Sequence, residues 1–283
     1  MNPSKKWPLF RLIIPVFPEI NIFTRIAKNT TAIGPIMVDT SASKLWGWRV
    51  EVIDENNYRK APMDENGLPD HAVLQSQNPA DVVGFYGGLS STMSRVWQLA
   101  QLYKSVGATT IAGSWHPHFA PEESLQKGID IIIHGDGEIV IRQLLAHLAE
   151  DTTIERIPGI SVVDSGGNYR TNPPEMLDDK QLNTLPFPNF GLIRFAKIKI
   201  YPVGRTRGCS RKCEFCSVKT KPRWACGQFL FDQVQWLVET RNAREFFIVD
   251  DRLEEDREGT VFFFKKIAQT YGRALSFTVQ ARL

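Results

Sequence analysis

Gly204-Arg205-Thr206-Arg207-Gly208-Cys209-Ser210-Arg211-Lys212-Cys213-Glu214-Phe215-Cys216 carries three of the chain's four cysteines, in the spacing C-x3-C-x2-C. Three thiolates on one short loop can converge on a single metal centre. Zinc takes four protein ligands at a structural site, or three with one open position at a catalytic site. A four-iron cluster is ordinarily held by four thiolates. Three would leave one iron free to bind a small molecule and pass it an electron. Zinc sites more often show paired C-x2-C motifs, and here Cys213 and Cys216 form the one pair. A zinc loop and three structural thiols remain the alternatives. Arg205, Arg207, Arg211 and Lys212 bring positive charge to the loop, which would balance an anionic cluster. Cys226 reads as an ordinary thiol rather than a fourth ligand.

Downstream of the loop the pattern is that of strands alternating with helices. Ile198-Lys199-Ile200-Tyr201-Pro202-Val203 is a strand running straight into the cysteines. A helix is expected over 230–240, with Val234, Leu237 and Val238 turned inward. Glu245-Phe246-Phe247-Ile248-Val249-Asp250-Asp251 is the next strand, with two carboxylates at its carboxyl end, where barrel enzymes place functional groups. A helix over 256–271 and a strand over 275–279 follow, and the chain ends shortly after Gln280 and Arg282, two weaker site candidates.

Upstream, Leu9-Phe10-Arg11-Leu12-Ile13-Ile14 reads as a buried strand stopped by Pro15. A helix is expected over 31–45, a strand over 49–54, and a polar loop with a short helix over 55–79. Asp81-Val82-Val83-Gly84-Phe85-Tyr86, Thr109-Thr110-Ile111-Ala112 and 129–133 read as further strands, each followed by a glycine-containing turn. Val96, Leu99, Ala100, Tyr103 and Val106 mark one helix, and Ile139, Leu144, Leu145 and Leu148 another. Alternation of this kind implies a parallel sheet covered on both faces, with ligands bound beyond the carboxyl ends of the strands. Three glycine turns sit there, at 87–92, 113–117 and 135–138. None reads G-x-G-x-x-G, so a nicotinamide dinucleotide is not the leading ligand. His134 reads as packing at a strand end, Trp97 as core, and His71, His118 and His147 as ordinary surface residues. The segment from 157 to 188, with its hairpin-like Asp164-Ser165-Gly166-Gly167-Asn168-Tyr169 and its prolines, reads as an extended connector.

The chain has 283 residues, 42% hydrophobic and 23% charged, which is the composition of a globular protein of one large or two ordinary domains. A net charge of +3 is too mild to suggest nucleic acid. Four cysteines, three of them in a metal-type cluster, argue for a reducing compartment rather than a disulfide scaffold. Lys5 and Lys6 precede an apolar run that Arg11 and Pro15 break, a poor signal-peptide core. No stretch approaches the length of an apolar membrane span. The expected location is the cytoplasm.

The cysteine loop resembles that of the radical SAM superfamily, C-x3-C-x-aromatic-C, with Phe215 in the aromatic slot. The resemblance implies that Cys209, Cys213 and Cys216 bind a 4Fe–4S cluster and that Phe215 packs near the adenine of S-adenosylmethionine (SAM). In that family SAM chelates the fourth iron through its amino and carboxylate groups; Asp250, with Asp251 at the strand end, is then a candidate for a role near SAM, the alternative being a solvated loop start. The upstream half looks like the cobalamin-binding domain of such enzymes. It shows G-G-L-S-S-T at 87–92, G-S-W-H-P-H where the family has G-G-x-H, and G-D-G-E where the family has G-E-G-E. By that resemblance Gly87, Ser90, Ser91, Thr92, Gly113, His116, Gly135, Gly137 and Glu138 line the cobalamin site. The D-x-H-x-x-G motif of other cobalamin proteins is absent, so His116 is not expected to ligate cobalt.

The implied architecture is α/β: a doubly wound, Rossmann-like cobalamin-binding domain with its connector over 1–189, then the start of a radical SAM partial (β/α)6 barrel over 190–283. Two βα units and a third strand of that barrel are present, so the chain is expected to be a fragment, a split protein or a truncated gene product. The implied activity is reductive cleavage of SAM to a 5′-deoxyadenosyl radical, with methyl transfer to an unactivated centre as the leading outcome. The implied partners are a small-molecule or peptide substrate and an external electron donor of flavodoxin or ferredoxin type, with neither membrane nor nucleic acid. The alternative is a non-catalytic cobalamin-binding module with a vestigial cluster loop.

Overall fold

The computed structural model describes residues 7–19, 24–59 and 62–281. Lys5, Lys6 and Arg282 lie outside them. The chain divides into two compact units. One draws on residues up to 28, 34–176 and 188–197, the other on 29–33, 177–187 and 198 onward.

The first unit contains, in order, β1 Leu9–Ile14, α1 Thr24–Ala27, α2 Ile33–Ala42, β2 Arg49–Asp54, α3 His71–Gln77, β3 Val82–Tyr86, α4 Met93–Ser105, β4 Thr109–Gly113, α5 Trp115–Phe119, α6 Pro121–Gln126, β5 Ile131–Ile133, α7 Gly137–Glu150, β6 Ile160–Val163, β7 Tyr169–Thr171 and β8 Ile193–Arg194. Its sheet has the order β7-β6-β5-β4-β3-β1-β2-β8. The strands from β5 to β8 along that order are all parallel, in register from Leu9↔Arg49 and Phe10↔Val82 outward. β6 and β7 extend the edge antiparallel. The connector, read from sequence as a linker, is therefore in part sheet. Asp164 builds the hairpin turn by accepting the N–H groups of Gly166 and Asn168, each at 2.9 Å.

Every residue of β1 is buried, as a strand covered on both faces must be. Leu9, Ile13, Ile53, Val83 and Phe85 face Leu74 of α3 and Met93, Val96, Leu99 and Tyr103 of α4. On the opposite side α2 packs on the start of α7. The Ser41 hydroxyl donates to the Glu138 carbonyl at 2.7 Å, and a Cβ on Gly137 would lie 3.0 Å from Val38. The parallel core reads β2-β1-β3-β4-β5, so the winding reverses between β1 and β3, and the crevice beyond their carboxyl ends is where such sheets bind ligands.

The second unit contains α8 Asp179–Leu182, β9 Ile200–Val203, β10 Thr206–Arg207, β11 Arg223–Trp224, α9 Gly227–Arg241, β12 Glu245–Ile248, α10 Arg257–Tyr271 and β13 Ser276–Val279. β9, β12 and β13 form a parallel sheet in the order β13-β12-β9, and β10 pairs antiparallel with β11. Helices α9 and α10 meet at two glycines, where a Cβ on Gly227 would lie 2.3 Å from the Gly259 carbonyl oxygen. Among the described residues no helix is long and apolar enough to cross a membrane.

Candidate functional site

Strand β9 ends at Val203, and the chain turns at once into the cysteine loop. The loop is closed at its neck by the Thr206↔Trp224 and Arg207↔Arg223 pairs and by the Cys209 N–H, which donates to the Thr220 carbonyl at 3.2 Å. Gly208 has φ +82°, and a Cβ there would sit 2.7 Å from the Thr220 oxygens, so the neck requires glycine. All four cysteines are free thiols. Cys209 and Cys216 are half-buried, whereas Cys213 and Cys226 are exposed. The Cys216 N–H donates to the Cys213 carbonyl at 3.1 Å. Phe215 is 93% exposed. Among the described residues no three or more His, Cys, Asp or Glu side chains are gathered closely enough to hold a metal ion. The three thiols thus share one loop without yet meeting. They nonetheless fit a thiolate-ligated cluster in donor type, number and free state.

Asp250, just past β12, is 1% exposed. Its Oδ1 accepts the N–H groups of Arg205 at 2.7 Å and Thr206 at 3.0 Å. Burial pushes its carboxyl above the ordinary value, while those two donors pull the other way. The sequence reading sets this residue beside SAM. In the structure one of its oxygens is committed to the backbone of the cysteine loop. Arg205 departs further from its reading. Its guanidinium is buried and turned to Asp256, Thr260 and the Ala225 carbonyl rather than to the thiols.

In the first unit two of the glycine turns are stitched together. The Gly87 N–H donates to the Gly113 carbonyl, and the His116 N–H to the Gly87 carbonyl, each at 2.9 Å. His116 Nδ1 lies 3.0 Å from Ser90 Oγ, and its Nε2 lies 3.2 Å from a Glu123 carboxylate oxygen. A Cβ on Gly87 would come within 2.4 Å of Pro117, so that glycine serves the contact between the turns. Thr92 is buried and spends its hydroxyl on the Leu89 carbonyl at 2.8 Å. Ser90 and Ser91 are both exposed, and the Ser90 hydroxyl is the one engaged by His116.

The third turn ends the neighbouring strand β5. Gly135 has φ +70° and lies under Pro174, and Glu138 is buried at the head of α7. Ser114 stands where the resembled motif carries its second glycine. It adopts φ 82°, ψ −164°, a region natural to glycine, and its side chain is hydrogen-bonded to the hydroxyl of half-buried Tyr86. Ser90 and Ser91 are the exposed hydroxyl residues that these turns offer to a polar-edged ligand.

The histidine readings need correction. His71 is no surface residue. It is 3% exposed, with Nδ1 2.8 Å from the Tyr103 hydroxyl and Nε2 3.1 Å from Glu55. Glu55 also binds Arg95, and the bonds from His71 and Arg95 outweigh burial and hold its carboxyl below the ordinary value. His118 is exposed yet partnered, with its Nδ1 2.9 Å from Nδ1 of buried His134. His134 Nε2 lies 2.7 Å from Ser161 Oγ.

Burial first, and the His118 imidazole second, lower the His134 pKa from 6.5 to about 4. Between those two values the unfolded chain binds a proton that the folded chain refuses. Each pH unit of acidification in that window should then cost about 1.4 kcal/mol. The contribution is complete above pH 6.5 and falls away toward about pH 4. Urea midpoints measured at several pH values should show a loss that His134→Gln flattens. An unchanged slope in the variant would refute the assignment.

The fold described above is shared with parts of solved cobalamin-dependent radical SAM enzymes. No protein-family model matches the chain. OxsB with aqua-cobalamin bound superposes with a TM-score of 0.73 at 16% identity, over 96% of this chain and 38% of that one. TsrM from Kitasatospora setae, with cobalamin and a 4Fe–4S cluster bound, gives 0.73 at 14% identity, over 96% and 54%.

In sequence the chain is 24% identical over 224 residues to an uncharacterised methyltransferase of Pyrococcus horikoshii, covering 75% of this chain and 48% of that protein. It is 24% identical over 264 residues to the cytidylyl-2-hydroxyethylphosphonate methyltransferase of Streptomyces wedmorensis, covering 75% and 49%. It is 25% identical over 174 residues to the cobalamin-dependent radical SAM methyltransferase TokK of Streptomyces tokunonensis, covering 55% and 25%. The chain thus spans about half the length of the first two of these relatives.

Proposed function

We propose that this chain carries the corrinoid-binding and cluster-binding parts of a cobalamin-dependent radical SAM methyltransferase. The observation that carries the reading is the placement of three free thiols on one loop at the carboxyl end of the first strand of a parallel sheet. The preceding unit, wound β2-β1-β3-β4-β5, offers glycine–serine turns at its own strand ends.

Cys209, Cys213 and Cys216 would hold a 4Fe–4S cluster, and Ser90, Ser91 and the backbone of the turns at 87–92, 113–117 and 135–138 would hold the corrin edge. The bound groups supply an electron for reductive cleavage of SAM to methionine and a 5′-deoxyadenosyl radical, and a carrier for the methyl group. The chain's own contribution is to fix the loop, present hydroxyl donors and orient the ligands. Gly87 and Gly135 serve this by letting backbone pack where a side chain would not fit. An external electron donor of flavodoxin or ferredoxin type and a small-molecule or peptide substrate complete the reading, with the cytoplasm as compartment.

The test is anaerobic loading of the full chain with iron, sulfide and hydroxocobalamin, then addition of SAM and a strong reductant. Retention of iron, sulfide and cobalt, with release of 5′-deoxyadenosine, is the expected result. Cobalt retained without iron would point to a non-catalytic cobalamin module. A colourless protein that retains only zinc would overturn both.

A further inference from the structure

The segment that follows β12 is acidic, and three of its carboxylates accept from backbone amides of the stretch leading into the cysteines. Asp250 Oδ1 takes the N–H groups of Arg205 and Thr206 at 2.7 and 3.0 Å. Asp251 Oδ2 takes that of Gly208 at 2.9 Å, and Glu255 Oε1 takes that of Ser210 at 2.7 Å. The Arg252 guanidinium closes the set, donating to Ser210 Oγ at 2.9 Å and to Glu255 Oε1 at 3.1 Å. Four amides of the 205–210 stretch are therefore held by three carboxylates from a segment some forty residues further along the chain.

From this arrangement we infer that Asp250, Asp251 and Glu255 form a clamp that shapes the cysteine loop before any metal binds, with Cys209 as its fixed thiol. Cys209 is the one cysteine flanked on both sides by clamped amides, those of Gly208 and Ser210. The other two have a different support. The Cys216 N–H bonds the Cys213 carbonyl, which also accepts from Lys219, so the outer pair is held by contacts within the loop itself. Carboxylates are suited to the task because a hydrogen bond to an ionised acceptor is stronger and shorter than one between neutral groups. Backbone N–H groups taken up by fixed acceptors also leave the loop fewer conformations to lose when ligands close on a metal. Of the three thiols that would hold a cluster, one therefore sits on a stretch fixed by the clamp, and the other two on a stretch held by contacts within the loop. Asp251 and Glu255 are positioning residues, acting through Gly208 and Ser210 on Cys209.

This inference rests on the cysteine loop being a metal site only for its second half, and the test separates the two. Amide hydrogen exchange is measured by NMR on the metal-free full chain. The Gly208 and Ser210 amides should exchange about tenfold or more slowly relative to the same amides in Asp251→Ala and Glu255→Ala. Asp251→Asn and Glu255→Gln, which keep a neutral acceptor oxygen, should restore part of the protection. After anaerobic loading, iron per chain should fall in the two alanine variants and recover in the amide variants. Unprotected Gly208 and Ser210 amides in the metal-free wild type would overturn the clamp. So would alanine variants that load iron like the wild type. Protected amides with no iron uptake by the wild type would uphold the clamp and remove the cluster reading instead.

Discussion

Cys213→Ala is expected to leave the chain folded and empty of iron. The Cys213 thiol is exposed, so truncation removes no buried contact and should change stability by no more than about 0.5 kcal/mol. Metal retention should respond very differently. A thiolate site divides a large binding free energy, roughly 10–16 kcal/mol for four-ligand zinc sites, among very few bonds. Losing one bond of three then costs several kcal/mol, and affinity falls by about a hundredfold or more. Cys226→Ala is the internal control. Cys226 is also exposed and sits at the head of α9, with its N–H held by the Asn183 side chain at 2.9 Å. It should keep the full iron and sulfide content. Iron, sulfide and visible absorption after anaerobic loading, beside a urea melt, measure both halves. A Cys213→Ala protein that retains everything would end the cluster reading.

What the sequence disclosed follows from the range of the forces involved. β1 and β2 have the expected bounds, because runs such as Leu9-Phe10-Arg11-Leu12-Ile13-Ile14 are set by local hydrophobic pattern and stopped by Pro15. Strand order is a property of pairing between distant segments, and nothing in either strand announces that β1 lies between β2 and β3. The antiparallel edge was harder still, since β7 is exposed at all three residues and has no apolar face to betray it.

The partners of buried polar groups are hidden in the sequence for the same reason. Arg11 looks like an interruption of an apolar run. In the fold it is fully buried, paired with Glu51 at 2.7 Å and donating to the Tyr103 hydroxyl at 3.2 Å, partners that lie 40 and 92 residues away. His71 lacks a local partner pattern because Glu55 and Tyr103 reach it from other elements. At the candidate site the cysteine spacing and the glycine turns stand out in the sequence as motifs. The loop-holding role of Asp250 does not, since only the fold brings β12 beside β9.

Arg205→Met should destabilise the second unit by up to about 3–5 kcal/mol, the range for removing one partner of a buried ion pair, with the 20% exposure of the Asp256 side chain holding the loss toward its lower end. The residue is 4% exposed, and four bonds converge on its guanidinium. Nη1 donates to Asp256 Oδ2 at 2.8 Å and to the Ala225 carbonyl at 2.9 Å. Nη2 donates to the Asp256 carbonyl and the Thr260 hydroxyl, each at 2.9 Å. These join the approach to α9 with the first turn of α10, at the place where Gly227 and Gly259 allow the helices to touch. Methionine preserves much of the stem's packing but leaves the Asp256 carboxylate without its cation and the Ala225 carbonyl without its donor.

Asp256 keeps one role in the variant, because its Oδ1 caps α10 through the Gly259 N–H at 3.1 Å. Arg205→Met/Asp256→Asn should therefore recover part of the loss, and the double-mutant cycle should return a coupling energy of about 2 kcal/mol. Arg211→Met changes an exposed arginine of the same loop and should leave the urea midpoint where it was. If Arg205→Met and Arg211→Met unfold at the same urea concentration, Arg205 is not the tie between these helices, and its charge must be serving the thiols after all.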